Sequence, residues 1–313
     1  MPSIQSHLLS WLVWFRMKGY FQSPEAFRKS IEVSRKSQDH RPPASLHRRL
    51  IVEERKIELN IDGHKGETYS VYEVAPKSEL PTQAHILYLH GGAFVHEIIS
   101  QQWQLIATLA ERLQAVVTVP IYPLGPEYKL MEIYEVVQHL HDELALPARD
   151  NTPLWVVGDS AGATMAVALT QRALLASGPV ASRVVLISPI VSCVFDDEET
   201  RAAAKKDPWM DTPGLEELTR LIAPDIPPED ARVSVINGAL DELPPTMVYT
   251  ASEDLLTPQT KIFVAKAKGY GREVDLIEGE GMMHDWPLLP IPEAEEAVDL
   301  MVYWLERAKT ARR

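Results

Sequence analysis

One cysteine, Cys193, stands in a chain of 313 residues. That excludes an intrachain disulfide and a Cys-rich zinc module, and it fits a reducing, cytoplasmic setting. Positive charge is in deficit: 31 Lys and Arg face 44 Asp and Glu, a net charge of −13. A chain this acidic is ill suited to wrapping a phosphate backbone, so no nucleic-acid partner is expected. Long apolar runs are also missing. The stretch Leu8-Leu9-Ser10-Trp11-Leu12-Val13-Trp14-Phe15 falls far short of the roughly 20 apolar residues that span a bilayer. Arg16 and Lys18 follow it instead of preceding it, and no small-residue cleavage site comes after, so it does not read as a secretory signal. No internal repeat, P-loop or dinucleotide fingerprint occurs. What remains is ordinary for a globular protein, with 45% hydrophobic and 24% charged residues.

The chain divides by its periodicity. Residues 1 to about 50 read as helical and basic, with a break at Arg41-Pro42-Pro43. Leu8, Leu9, Trp11, Leu12, Trp14 and Phe15 there read either as part of a helical cap over a pocket or as an interfacial helix resting on lipid. The cap is the preferred reading, because amphipathic helices more often pack on protein. From residue 51 the pattern changes. Ile51 to Ile61 and Thr68 to Val74 alternate and meet across Asp62-Gly63, a hairpin signal. Short apolar runs then alternate with helical stretches. The expected strands are Ile86–Leu89, Ala115–Val119, Leu154–Val157, Val184–Ile187, Thr246–Tyr249 and Glu273–Ile277. Expected helices cover Gln102–Leu113, Lys129–Leu144, Ala161 to about Ala176, Pro258–Lys268 and Glu293–Ala308. Continuous apolar strands joined by helical crossovers predict an α/β fold: a mostly parallel sheet with helices on both faces. One segment, about 192–243, interrupts the alternation. Thr212-Pro213 within it reads as an N-cap and first helical position, and an insertion at the strand C-terminal edge lies over the place where such sheets bind ligands.

Two motifs carry chemistry. Gly158-Asp159-Ser160-Ala161-Gly162 follows an apolar strand and opens an Ala-rich helix, the context a G-x-S-x-G turn requires. A sharp turn here strains Ser160, excludes side chains at Gly158 and Gly162, and leaves the Ala161 N–H at the positive end of a helix. Upstream, His90-Gly91-Gly92-Ala93-Phe94 follows the strand Ile86–Leu89. Paired glycines let backbone N–H groups turn inward, so Gly91 and Gly92 join Ala161 as candidate oxyanion donors. Asp159 reads as structural. His96-Glu97 lacks the second histidine of a zinc helix, His139 and His141 face different ways on a helix, and the run Asp196–Glu199 reads as a solvated helix start. No metal site is expected.

Together these motifs resemble the hormone-sensitive-lipase-like carboxylesterases of the α/β-hydrolase fold. Pro120-Ile121-Tyr122-Pro123-Leu124-Gly125-Pro126-Glu127 is similar to that family's Tyr-Arg-Leu-Ala-Pro-Glu segment, and Asn237-Gly238 with Leu243-Pro244-Pro245-Thr246 to the lead-in of its acid-bearing strand. The likeness runs from about 85 to 290; residues 192–236 match none of its motifs. One departure stands out: Ala93 occupies the place of a third family glycine. The resemblance implies an eight-stranded sheet, a catalytic domain over 51–313, a cap made of 1–50 and the insertion, no cofactor, and a tendency to form homodimers through the last strand and helix.

The family order is serine, acid, histidine. His284 is the sole histidine after Ser160, so it is the expected base. The family pattern places the acid before an apolar pair, which selects Asp254 in Ala251-Ser252-Glu253-Asp254-Leu255-Leu256. Glu253 and Asp285 are the competitors; Glu253 is expected to face away, and Asp285 to be poorly placed against its neighbour's ring. The expectation is a serine carboxylesterase acting on small, short-acyl esters through Ser160, Asp254 and His284. Its alternatives are an amide or formamide hydrolase or an interface-active lipase on the same residues and, last, a non-catalytic ligand-binding relative.

Overall fold

A computed structural model describes residues 2–61, 63–146 and 152–310. The strands are β1 Leu50–Ile61, β2 His64–Pro76, β3 Ala84–Leu89, β4 Ala115–Pro120, β5 Leu154–Asp159, β6 Arg183–Ile187, β7 Thr246–Ala251 and β8 Val274–Gly279. They form one sheet in the order β1-β2-β4-β3-β5-β6-β7-β8. β1 and β2 pair antiparallel, as do β2 and β4, and every later pair is parallel. The expected hairpin joins β1 to β2, with Ile61 opposite His64; Asp62 of its turn lies outside the described residues.

The helices are α1 Ile4–Phe21, α2 Pro24–Arg35, α3 Ala44–Arg49, α4 Ser100–Leu113, α5 Leu130–Ala145, α6 Ala161–Leu175, α7 Glu198–Ala204, α8 Thr212–Ile222, α9 Thr257–Gly269 and α10 Pro292–Thr310. Successive residues of a strand point to opposite faces, and this sheet buries both. Leu87 and Leu89 of β3, Val156 of β5 and Leu186 of β6 join a core under α5, α6 and α9. Ile86 and Tyr88, Val157, and Ile187 join the opposite core under α4 and α10. This two-sided burial explains why the strands read as unbroken apolar runs.

Two segments stand outside the alternation, and they pack on each other. α1 and α2 both lie against α8, where Phe21 fits over Gly214 so closely that a Cβ there would come within 2.7 Å of its ring. Lys18 is buried and donates to the carbonyl oxygens of Ala204 and Met210. α8 begins one residue earlier in its cap than expected: Asp211, not Thr212, is the N-cap, accepting the Thr212 N–H, and Pro213 sits in the first turn. Among the described residues no helix is long and apolar enough to cross a membrane.

Candidate active site

β5 ends in Gly158-Asp159, and α6 starts at Ala161, so Ser160 is the whole turn. Its backbone is at φ 49° and ψ −117°, a conformation that costs a non-glycine residue about 1–3 kcal/mol. The flanking glycines make the turn possible. A Cβ on Gly158 would sit 2.5 Å from the Gly162 backbone, and one on Gly162 would sit 1.9 Å from the Leu89 carbonyl oxygen. The Ser160 N–H is held by the Ile187 carbonyl at 2.7 Å, which fixes the turn against β6.

The acid and the imidazole come from the C-terminal ends of neighbouring strands. β7 and β8 are in register up to Ala251 opposite Gly279. Beyond that point the two loops stay laced together: Ser252 N–H donates to Gly279, Glu253 N–H to Met282, and Gly281 N–H to the Ser252 hydroxyl. The lacing delivers Asp254 to His284. Nδ1 of His284 lies 2.8 Å from Asp254 Oδ2, and Nε2 lies 3.0 Å from Ser160 Oγ. Asp254 is fully buried, His284 3% exposed and Ser160 5%. Asp254 also accepts the Leu256 N–H. Glu253 makes no hydrogen bond to the imidazole among the described residues.

Asp285 makes no hydrogen bond to the ring among the described residues, but its carboxylate comes close. Its backbone turns left-handed, at φ 55° and ψ 27°, and this swings its carboxylate back to 3.4 Å from His284 Nε2. A third carboxylate approaches from the insertion. Asp207 is buried, accepts the N–H groups of Trp209, Met210 and Leu255, and so ties the segment before α8 to the loop carrying Asp254. Trp209 meets the His284 ring edge-on, with centroids 5.7 Å apart. Nothing in the sequence marked Asp207; an Asp-Pro pair reads only as a turn.

The charges interact strongly. Burial opposes a charge on His284, but Asp285, Asp254 and Asp207 outweigh it and push its pKa up to about 10. Burial, then the nearby Asp254 charge, raises Asp207 to about 7. Burial also lifts Asp285 well above the usual carboxylate range, with Asp159 and Asp254 adding to the shift.

The Gly-rich loop is organised by Asp159. Its Oδ1 accepts the Tyr88 hydroxyl at 2.6 Å, and its Oδ2 accepts Gln102 Nε2 at 2.7 Å and the Gly91 N–H at 2.9 Å. The structural role expected for Asp159 is thus visible, but Gly91 must be corrected: its N–H is turned onto a carboxylate and away from an oxyanion position. Gly92 (φ 121°) is kept from bearing a Cβ by the His96 carbonyl, 2.6 Å away. Its N–H, that of Ala93 and that of Ala161 have no hydrogen-bond partner among the described residues. Ala93, standing in for a glycine, is held at φ 53°. His90 packs beneath, stacked on Tyr122 at 4.2 Å, its carbonyl accepting the Tyr122 hydroxyl, and burial lowers its pKa to about 4.

The α/β-hydrolase-fold family matches residues 86–288. An esterase of Acinetobacter venetianus is 29% identical over 225 residues, covering 71% of this chain and 74% of its own. A triacylglycerol lipase of Mycobacterium tuberculosis is 30% identical over 222 residues, covering 70% of this chain and 45% of its own. Among solved structures, an esterase of the bacterial hormone-sensitive lipase family superposes with a TM-score of 0.78 at 20% identity, covering 98% of this chain and 99% of that one. The chain belongs to the α/β-hydrolase-fold family and is a carboxylic ester hydrolase.

Proposed function

We propose that the chain is a serine esterase that cleaves small, short-acyl esters through an acyl-enzyme. Ser160 attacks the ester carbonyl while His284 Nε2 takes its proton. Asp254 holds Nδ1–H and stabilises the imidazolium. Gly92 and Ala161 N–H groups, with Ala93 beside them, receive the negative charge on the carbonyl oxygen. His284 then protonates the leaving alcohol, and a water repeats the sequence on the acyl-serine. The observation that carries this reading is the unbroken run from Ser160 Oγ through His284 to Asp254, with bonds of 3.0 and 2.8 Å. A serine hydroxyl needs such a base to act as a nucleophile near neutral pH.

The preference for small substrates is supported by enclosure. The N-terminal helices and the insertion form a cap, and Trp209 stands against the imidazole. Two surface clefts of about 500 and 480 Å³ include none of Ser160, Asp254 or His284 in their walls. The test is a series of p-nitrophenyl esters from acetate to dodecanoate with wild-type protein and Ser160→Ala. The variant should lose at least roughly 10³-fold in kcat, and wild-type kcat/KM should fall beyond butyrate. Near-full activity of Ser160→Ala on the acetate ester would end the proposal.

A further inference from the structure

We propose that the outer face of α1 docks on an anionic lipid surface. A helix that is apolar on most sides is normally buried, yet α1 buries only Ser6, Lys18 and Phe21. Its large side chains point outward: Ile4, Leu8, Trp11, Leu12, Trp14 and Phe15 are between 37% and 77% exposed. At 100° per residue these six occupy one arc of about 160°, and Trp11 stacks on Phe15 within it at 6.1 Å. A contiguous apolar face of this kind marks a contact surface. Aromatic rings with one polar atom suit the boundary between headgroups and acyl chains.

Charge selects the occupant. Residues 1–50 hold nine Lys and Arg against three Asp and Glu, while the whole chain is at −13. α1 has no acidic residue, and Arg16 of α1, Lys29 of α2 and Lys36 just after it have no ion-pair partner among the described residues. An anionic bilayer attracts this end and repels the rest, which orients the molecule as well as binding it. A second copy would instead set one basic end against another.

The anchoring of α1 gives the docking a consequence. Ser6 donates to the Met282 sulfur at one end, and Lys18 grips Ala204 and Met210 at the other. The helix therefore bridges the His284 loop and the segment that carries Asp207 and Trp209. A lipid surface held by its outer face therefore bears on the helix that packs against both segments. The docking itself does not rest on the hydrolase reading, and its test is run without turnover.

The experiment is co-sedimentation of full-length Ser160→Ala protein with vesicles of phosphatidylcholine containing phosphatidylglycerol, beside vesicles of phosphatidylcholine alone. The expected result is binding to the mixed vesicles, weakened by salt, with a blue shift of tryptophan emission. Trp11→Ser with Phe15→Ser should lower partitioning at least roughly tenfold while circular dichroism stays unchanged. Protein left in the supernatant, or equal binding by the double variant, overturns the proposal. So does a wild-type dimer in light scattering that the double variant dissolves, since the face would then belong to a second copy.

Discussion

Asp285 Oδ2 lies 3.4 Å from His284 Nε2, on the same nitrogen that Ser160 Oγ approaches to 3.0 Å. The imidazole thus has a carboxylate near each ring nitrogen, Asp254 hydrogen-bonded at Nδ1 and Asp285 within ion-pair range of Nε2. Such a cluster retains a proton to high pH, and a general base must be free of it to work. With His284 raised to about 10, activity should climb toward alkaline pH.

Asp285→Asn removes a carboxylate that favours imidazolium where it is ionised, so the pKa of His284 should fall over that range. The acidic limb of kcat/KM should move to lower pH, with a gain in activity near neutrality. A pH profile from about pH 5 to pH 10 on p-nitrophenyl acetate checks this, since that limb reports the free enzyme's base. A limb that stays in place means Asp285 keeps its own proton throughout the range.

Asp159→Ala strips the acceptor from Tyr88, Gln102 and the Gly91 N–H at once. Buried donors without partners cost roughly 1–3 kcal/mol each, so a loss of about 3 kcal/mol or more is expected. Urea unfolding measures it. Gly91→Ala attacks the same contact from the other side, because its Cβ would fall 2.2 Å from Asp159 Oδ2. Both variants release the loop that presents Gly92, so kcat should drop with stability.

Asp207→Ala should loosen the insertion from the body of the protein. It leaves the N–H groups of Trp209, Met210 and Leu255 unpaired, again a penalty of roughly 1–3 kcal/mol per group that water does not reach. Trp209 then loses its fixed place against His284. Hydrogen exchange should speed up at 207–211 and around Leu255 more than in β5 or α6.

Much of the architecture was legible because the sheet is buried on both sides. Runs such as Leu154–Val157 and Val184–Ile187 announce themselves without any long-range information, and every expected strand and helix has a counterpart. Of the residues now hydrogen-bonded together, Ser160 could be named from turn chemistry, His284 from the order in the resembled family, and Asp254 from that family's acid-before-apolar-pair pattern. Other features depend on the fold and left no periodic trace. Gly91 was read as a donor to substrate because nothing local says that Asp159, in the next motif, will stand opposite it. Asp285 was set aside as poorly placed against its neighbour's ring; it makes no hydrogen bond there among the described residues, but a left-handed backbone brings its carboxylate to 3.4 Å from Nε2. Asp207 lies in an insertion whose path no pattern predicts. Thr212 and Asp211 are both good caps, and the choice between them rests on one backbone angle.

The pH dependence of stability provides the last prediction. A histidine whose folded pKa exceeds its unfolded value binds its proton more tightly when folded. The stabilisation is fully present below the unfolded pKa of about 6.5 and is lost as pH rises through the folded value. For His284 that window runs from about 6.5 to about 10. Asp207 acts in the same direction at lower pH: its folded pKa of about 7 exceeds the ordinary carboxylate value, so stability falls as pH rises toward 7 and is level beyond it. Above pH 7 the decline is carried by the imidazole together with Asp285, which burial lifts well above the carboxylate range. Urea unfolding at about pH 7 and again at about pH 9.5 should show wild-type protein losing more stability over that range than His284→Asn. The buried tyrosines, Tyr88, Tyr122 and Tyr249 among them, are raised by burial, and their contribution begins only near the unfolded tyrosine pKa of about 10. Equal slopes in the two proteins would mean that His284 carries no extra proton in the folded state.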